Sequence, residues 1–438
     1  MRKTALTILL AASISLAYAE NWPGWRGPDG LGISTEKSFP AQWDPSKNIK
    51  YKIEVPGLGH SSPIVWGNRI FITTAVNSDP AEGNWQKGFF QDNRKPDASE
   101  ISWKVLCFDR DTGKLLWEQT AIRKKPVNMR HTKNSYASQS PVTDGVYVYA
   151  FFGDQGMYCY DFRGKLIWSR DLGAFTMRNG WGMASSPVLY KNLVIQTLDQ
   201  ESGKSSIVAL DKKTGKTVWQ TERDELSSWS TPYVYLQGAH PELIVNATRA
   251  VRSYDPENGK LLWESRGPAT SITIPTPLSS NGLIIVSSGF IMEPVRPISA
   301  FRPGATGDIT LKEGETKSDT IAWRQSVAAP YVPSPVAYGD YIYVLLDQGF
   351  LACYEAKTGK EVYARKRIDV GAQFSASPVV VDGKLYCMSE DGEVYVIKTG
   401  PEFEVLAKNS LGESVMASPA VSAGKMFVRT LKHLYCIQ

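Results

Sequence analysis

The chain has 438 residues, 42% hydrophobic and 21% charged, which excludes a disordered protein because that much apolar surface can offset the entropy of ordering. A formal net charge of +5, scattered along the chain, leaves no footprint for nucleic acid or an anionic membrane. Thirteen Trp and 20 Tyr beside 36 Gly and 26 Pro exclude a coiled coil or a helical bundle and point to short strands joined by tight turns.

Arg2 and Lys3 precede a mostly apolar run from Ala5 to Leu16, and Ala17-Tyr18-Ala19 forms an A-x-A cleavage site before Glu20. Residues 1–19 are therefore expected to be a signal peptide cleaved near Ala19, leaving a periplasmic or secreted chain. No later run reaches the roughly 20 apolar residues of a transmembrane helix. Ile49 to Val55 then alternates apolar with charged residues, a strand that has no hairpin of its own.

From there two phrases recur. Asp109 through Gly113 and Lys114 to Trp117 joins an acidic residue, a Gly-Lys turn, two apolar residues and Trp. The phrase returns at Asp161, Gly164 and Trp168, at Asp211, Gly215 and Trp219, and at Asp255, Gly259 and Trp263. A weaker copy runs from Glu355 through Gly359 to Tyr363. The second phrase is Ser/Thr-Pro before an apolar strand, at Pro63, Pro141, Pro187, Pro232, Pro277, Pro335, Pro378 and Pro419. Most intervals between these prolines are 41 to 46 residues, and the first and fifth are longer.

Within the third unit, turns at Lys191-Asn192, Glu201-Ser202-Gly203 and Lys213-Thr214-Gly215 divide the apolar runs into four strands. Four-stranded units at this period predict an all-β, eight-bladed β-propeller of antiparallel blades. The eighth unit stops at Gln438 without an outer strand, so Ile49 to Val55 is expected to complete it and close the ring. Loss of Glu20 to Pro40 alone is expected to be milder than loss of that strand. Residues 20–438 thus read as one domain, with insertions at about 77–100 in blade 1 and 289–320 in blade 5. The first insertion carries Trp85, Phe89 and Phe90. Four of the five Cys (107, 159, 353 and 436) fall at equivalent places in separate units, so they are expected to be buried thiols rather than disulfides. The docking Trp117, Trp168, Trp219 and Trp263 are expected to be buried between blades.

The Asp-x-x-Thr-Gly-Lys-x-x-Trp phrases resemble the tryptophan docking motifs of the pyrroloquinoline quinone (PQQ) repeat propellers. That resemblance implies the propeller fold and two branches of function. One is the quinoprotein alcohol dehydrogenases, which hold PQQ and usually Ca²⁺ over the axis. The other is the cofactor-free propeller subunit of the outer-membrane β-barrel assembly machinery, the BamB type. The vicinal Cys pair and attached haem motif that the dehydrogenase branch implies are both missing from this sequence. The Cys that lipid anchoring would need, as the assembly branch implies, is missing near Glu20.

First strands line a propeller's channel, so the residues approaching each Ser/Thr-Pro are the candidates for a ligand site. His60, His131, Asn134, Arg178, Trp181 and Trp229 stand there, with Asp199 and Gln200 closing the second strand of the third unit. The four His are not paired at zinc-ligand spacing, and no nucleophile elbow, P-loop or dinucleotide fingerprint stands in context, so neither a metal nor a catalytic residue is assigned. The reading is an exported, non-enzymatic, monomeric binding or scaffold propeller with no cofactor, its partner a protein or glycan of the cell envelope. The alternative is a PQQ-dependent alcohol or sugar dehydrogenase using PQQ with Ca²⁺.

Overall fold

In the computed structural model the third repeat forms four strands, Val188–Tyr190, Leu193–Leu198, Ser205–Asp211 and Thr217–Arg223, paired antiparallel in sequence order. The second and third strands bury both faces, because a blade has a neighbour on each side, and this is why they read as continuous apolar runs. The outer strand is largely exposed but turns Trp219 inward. Seven further sheets repeat this plan, giving the expected eight-bladed all-β propeller. The structure describes residues 20–82, 85–87, 95–267 and 270–438. The signal-peptide stretch, Phe89 and Phe90 lie outside the described residues.

The docking phrase is explained piece by piece. The Asp211 carboxylate accepts the Thr214 N–H and Oγ1–H, each at 2.8 Å, which folds the turn. Gly215 then takes φ +69°, and a Cβ there would stand 2.7 Å from the ring of Trp168 in blade 2. The Trp168 indole N–H donates to the Lys212 carbonyl at 3.0 Å. Each such Trp therefore seats on the glycine turn of the following blade: Trp117 on Gly164, Trp168 on Gly215, Trp219 on Gly259. Beneath the ring lies a small cross-strand partner, Cys107 under Trp117, Cys159 under Trp168 and Ala209 under Trp219. All five Cys are free and buried.

Trp168, Trp219 and Trp263 are buried between blades as expected, and Trp117 departs from that expectation. Trp117 is only half-buried; the blade 2 turn that it covers is one residue shorter than the others. Trp263 is fully buried but meets no such turn, because the long excursion of blade 5 replaces it. Its ring stacks on Phe301 at 5.2 Å, and its N–H donates to Glu242 at 2.6 Å. Trp323, which lacks the Gly-Lys signature, docks on Gly359 and donates to the Ala356 carbonyl at 3.0 Å.

The stretch 289–320, expected as one insertion, contains the third strand of blade 5, Ile298–Phe301. Two shorter excursions flank that strand. The second adds Gly307–Asp308 in parallel to the outer strand of blade 4, Leu261–Arg266, and covers that edge.

The Ser/Thr-Pro phrase builds a girdle around the axis. The Ser62 N–H donates to Ser140 Oγ at 2.9 Å, Ser140 N–H to Ser186 Oγ at 2.9 Å, and Ser186 N–H to Thr231 Oγ1 at 3.0 Å. The same link runs from Thr276 to Ser334, Ser377 and Ser418, each step 2.8–2.9 Å. Among the described residues, six of the eight blades thus hand one backbone donor to the hydroxyl of the next; the steps from blade 4 to 5 and from blade 8 to 1 lack it.

Closure occurs as the termini predict. Ile49–Glu54 pairs antiparallel with His433–Ile437, Glu54 opposite His433, and becomes the outer strand of blade 8. Tyr51 takes the docking place over Gly113. The residues before it do more than expected. Trp22 pairs with Val65 in blade 1, and Ile33 with Val380 in blade 7. Between them Arg26, 2% exposed, donates to the carbonyls of Ser334 and Pro335 in blade 6. Residues 22–34 therefore plug one end of the channel, so deletion of this segment removes contacts to blades 1, 6 and 7.

Candidate functional site

At the end opposite the plug, the loops leading into the first strands surround a cavity of about 540 Å³. Each loop is held by its neighbour. The His131 N–H and the Asn134 side-chain amide both donate to the Trp181 carbonyl, at 3.1 and 2.7 Å. Trp229 donates its indole N–H to the Gly182 carbonyl at 2.7 Å and its backbone N–H to Thr273 at 2.8 Å. The rings follow the same order: His131 meets Trp181 edge-on at 5.3 Å, and Trp181 meets Trp229 at 6.0 Å. Phe290 and Tyr331, 5.2 Å apart, continue the wall on the blade 5 and 6 side, and Trp25 of the plug reaches in along the axis. Trp25 also borders a second cavity of about 790 Å³ at the plugged end.

The structure brings together His60, His131, Asn134, Trp181 and Trp229 on this cavity. Three other candidates stand elsewhere. Arg178 is drawn aside by Glu201, 3.1 Å from its Nε, and by the Ser271 carbonyl at 2.6 Å. Asp199 is buried against Arg223 at 3.1 Å and accepts from Ser228 Oγ at 2.5 Å. Burial outweighs both partners and pushes the Asp199 carboxyl up to about 6. Gln200 closes a turn, its side chain bonded to Ser202 and to the Lys204 carbonyl. Asp199 and Gln200 are therefore bracing residues of blade 3.

Sequence reasoning passed over Trp25, Lys133, Ile274, Phe290, Tyr331, Val332 and Met416. Several of these stand within four residues before a Ser/Thr-Pro, so the same rule applied to every unit would have found them. Phe290 lies in the blade 5 excursion, which has no counterpart in the repeat.

The electrostatics of the mouth are quiet. His60 lines the cavity with one side while protein encloses the rest; burial, with Arg429 and Arg130 nearby, pushes its imidazole down to about 3. Among the described residues its Nε2 has no hydrogen-bond partner. Lys133 is paired with Glu390 at 2.5 Å, and Glu390 also accepts from Ser375 Oγ. Asp347 accepts the backbone N–H groups of Tyr331 and Val332, and burial pushes it up to about 6. Among the described residues no Asp or Glu lines the cavity, and no three His, Cys, Asp or Glu side chains converge as a ligand set. Ca²⁺ takes hard oxygen ligands, carboxylates above all. This lining does not fit a calcium-held quinone.

Fold and mouth together define an eight-bladed propeller of the PQQ-repeat class with an aromatic axial cavity. A family profile described as outer membrane protein assembly factor BamB matches residues 102–274 and 308–402, more than half of the chain, and the chain belongs to that family. A polyvinylalcohol dehydrogenase of a Pseudomonas species is 22% identical over 288 residues, 57% of this chain and 41% of that protein. BamB of Moranella endobia (strain PCIT) is 31% identical over 108 residues, 24% of each chain. The matches thus span less than half the length of these curated relatives. Among solved structures, BamB from Moraxella catarrhalis superposes with a TM-score of 0.59 at 12% identity, over 89% of this chain and 99% of its own. Quinohemoprotein alcohol dehydrogenase from Comamonas testosteroni gives 0.62 at 11%, over 95% and 80%. At these identities the likeness concerns the fold. The chain is related both to an assembly factor and to dehydrogenases of the PQQ-like group.

Proposed function

We propose that this is a non-enzymatic binding propeller of the cell envelope, exported by its first 19 residues, which holds a protein or glycan partner at the aromatic mouth. The observation that carries this reading is the composition of the cavity. It offers stacking faces and hydroxyls, while its described lining has no carboxylate or thiol to act as base or nucleophile. A general base works best with a pKa near the ambient pH. His60, held at about 3, is far too weak for that task. The name of the BamB relative, an assembly factor, supports a protein partner at the outer membrane; that of the polyvinylalcohol dehydrogenase supports the rival oxidoreductase.

The two are separated by equilibrium dialysis of the purified protein against PQQ and Ca²⁺, followed by dye-linked oxidation of alcohols and sugars. Neither saturable uptake nor dye reduction is expected. Stoichiometric PQQ uptake with turnover would replace the binding reading by the dehydrogenase.

A further inference from the structure

The hydroxyl girdle speaks to the chemistry of the occupant, an inference that rests on the mouth being a binding site. Ser140, Ser186, Thr231, Ser377 and Ser418 line the cavity, and each accepts a backbone N–H from the preceding blade. A hydroxyl has one O–H and two lone pairs, so that link uses one lone pair. All five residues are 6% exposed or less. Among the described residues none of them gives its O–H to a protein acceptor. Five buried hydroxyls therefore keep a donor and a lone pair each, next to an open cavity. In the open cavity water meets these groups, so an occupant that displaces it must replace both a donor and an acceptor at each hydroxyl.

The kind of occupant follows from what the groups can do. A group that both gives and takes a hydrogen bond matches another hydroxyl in either direction, whereas a carboxylate only accepts and an ammonium only donates. No Asp, Glu or Arg lines the cavity among the described residues, and its Lys133 is already paired with Glu390. A charged ligand would thus lose its water without gaining a counter-charge. At the mouth Trp181, Trp229 and Tyr331 supply flat apolar faces, and Trp25 supplies another from the plug side. The volume suits a small ligand rather than a folded surface. We infer that the mouth takes the end of an uncharged glycan, its ring against the tryptophans and its hydroxyls on the girdle.

The test is calorimetric titration of the purified protein with maltotriose, cellotriose and chitotriose, beside trigalacturonate and an unstructured peptide. Trp181→Ala removes a stacking face but keeps the backbone carbonyl that holds His131 and Asn134, so its fold should be preserved, which thermal unfolding checks. Ser186→Ala removes a girdle hydroxyl, and Ser186→Thr restores one, as Thr231 already does in blade 4. At least one neutral trisaccharide should bind, at least tenfold more weakly to Trp181→Ala, with Ser186→Ala weaker than wild type and Ser186→Thr recovered. Equal or tighter binding of trigalacturonate would overturn the claim of an uncharged ligand. If no neutral trisaccharide binds but the peptide does, and Trp181→Ala abolishes it, the glycan inference falls and the binding site stands. If neither binds, both fall.

Discussion

His60 sits where an imidazole must stay neutral. Its folded pKa of about 3 lies below the ordinary 6.5, so the stability tied to its neutral form is full above pH 6.5 and lost as pH falls toward 3. Asp199 and Asp347 run the other way, since carboxyls raised to about 6 favour the folded state as pH drops from about 6 toward 4. Comparing wild type with His60→Gln cancels those two. Between pH 7 and pH 5 the wild type should lose about 2 kcal/mol relative to the variant in urea unfolding. A difference that stays constant across that range would mean the ring is solvated. At this scale, the sequence places His131, Asn134, Trp181 and Trp229 at the mouth because channel-lining position follows from the Ser/Thr-Pro register. It misplaces Arg178 and Asp199 because their partners, Glu201 and Arg223, are chosen by tertiary proximity that no spacing encodes.

The docking phrase is a joint between two elements, and its glycine carries two separate demands. At Gly215 the backbone is at φ +69°, and a side chain would also strike the Trp168 ring. Gly203 shares the positive φ, at +75°, but nothing lies within 4 Å of a Cβ there. Gly203→Ala should therefore cost about 1 kcal/mol for the backbone alone. Gly215→Ala should cost more, about 3 kcal/mol, because the blade 2–blade 3 contact must also open. Equal losses in chemical denaturation would mean that the Trp seat contributes nothing to holding the blades. Most of these joints are readable in the sequence, since a turn, a glycine and an indole leave a fixed spacing. Trp323 is not, because the excursion before it removes the Asp and Gly-Lys of its own turn while its seat, Gly359, belongs to the next unit. The third strand of blade 5 escapes for a similar reason: Ile298–Phe301 is a short run between two irregular stretches.

At the scale of the molecule, both ends of the channel depend on the first 36 described residues. The alternating strand Ile49–Glu54 is legible because a terminal unit lacking an outer strand needs a partner. The plug is not, since residues 22–34 have neither strand periodicity nor a motif; they are held by scattered carbonyls, as Arg26 is by those of Ser334 and Pro335. The mouth exists as a site only if the ring is closed, so closure is the claim on which the binding reading depends. Its direct test is thermal unfolding with size-exclusion chromatography of two shortened chains, one beginning at Ala41 and one at Pro56. The chain from Ala41 keeps the closing strand and should remain a folded monomer with a lowered melting temperature, because the buried contacts of Trp22 and Arg26 to the ring are removed. The chain from Pro56 leaves the last strand of blade 8 unpaired and should aggregate or lose cooperative unfolding. A soluble Pro56 chain that melts as the intact protein does would contradict closure through this strand.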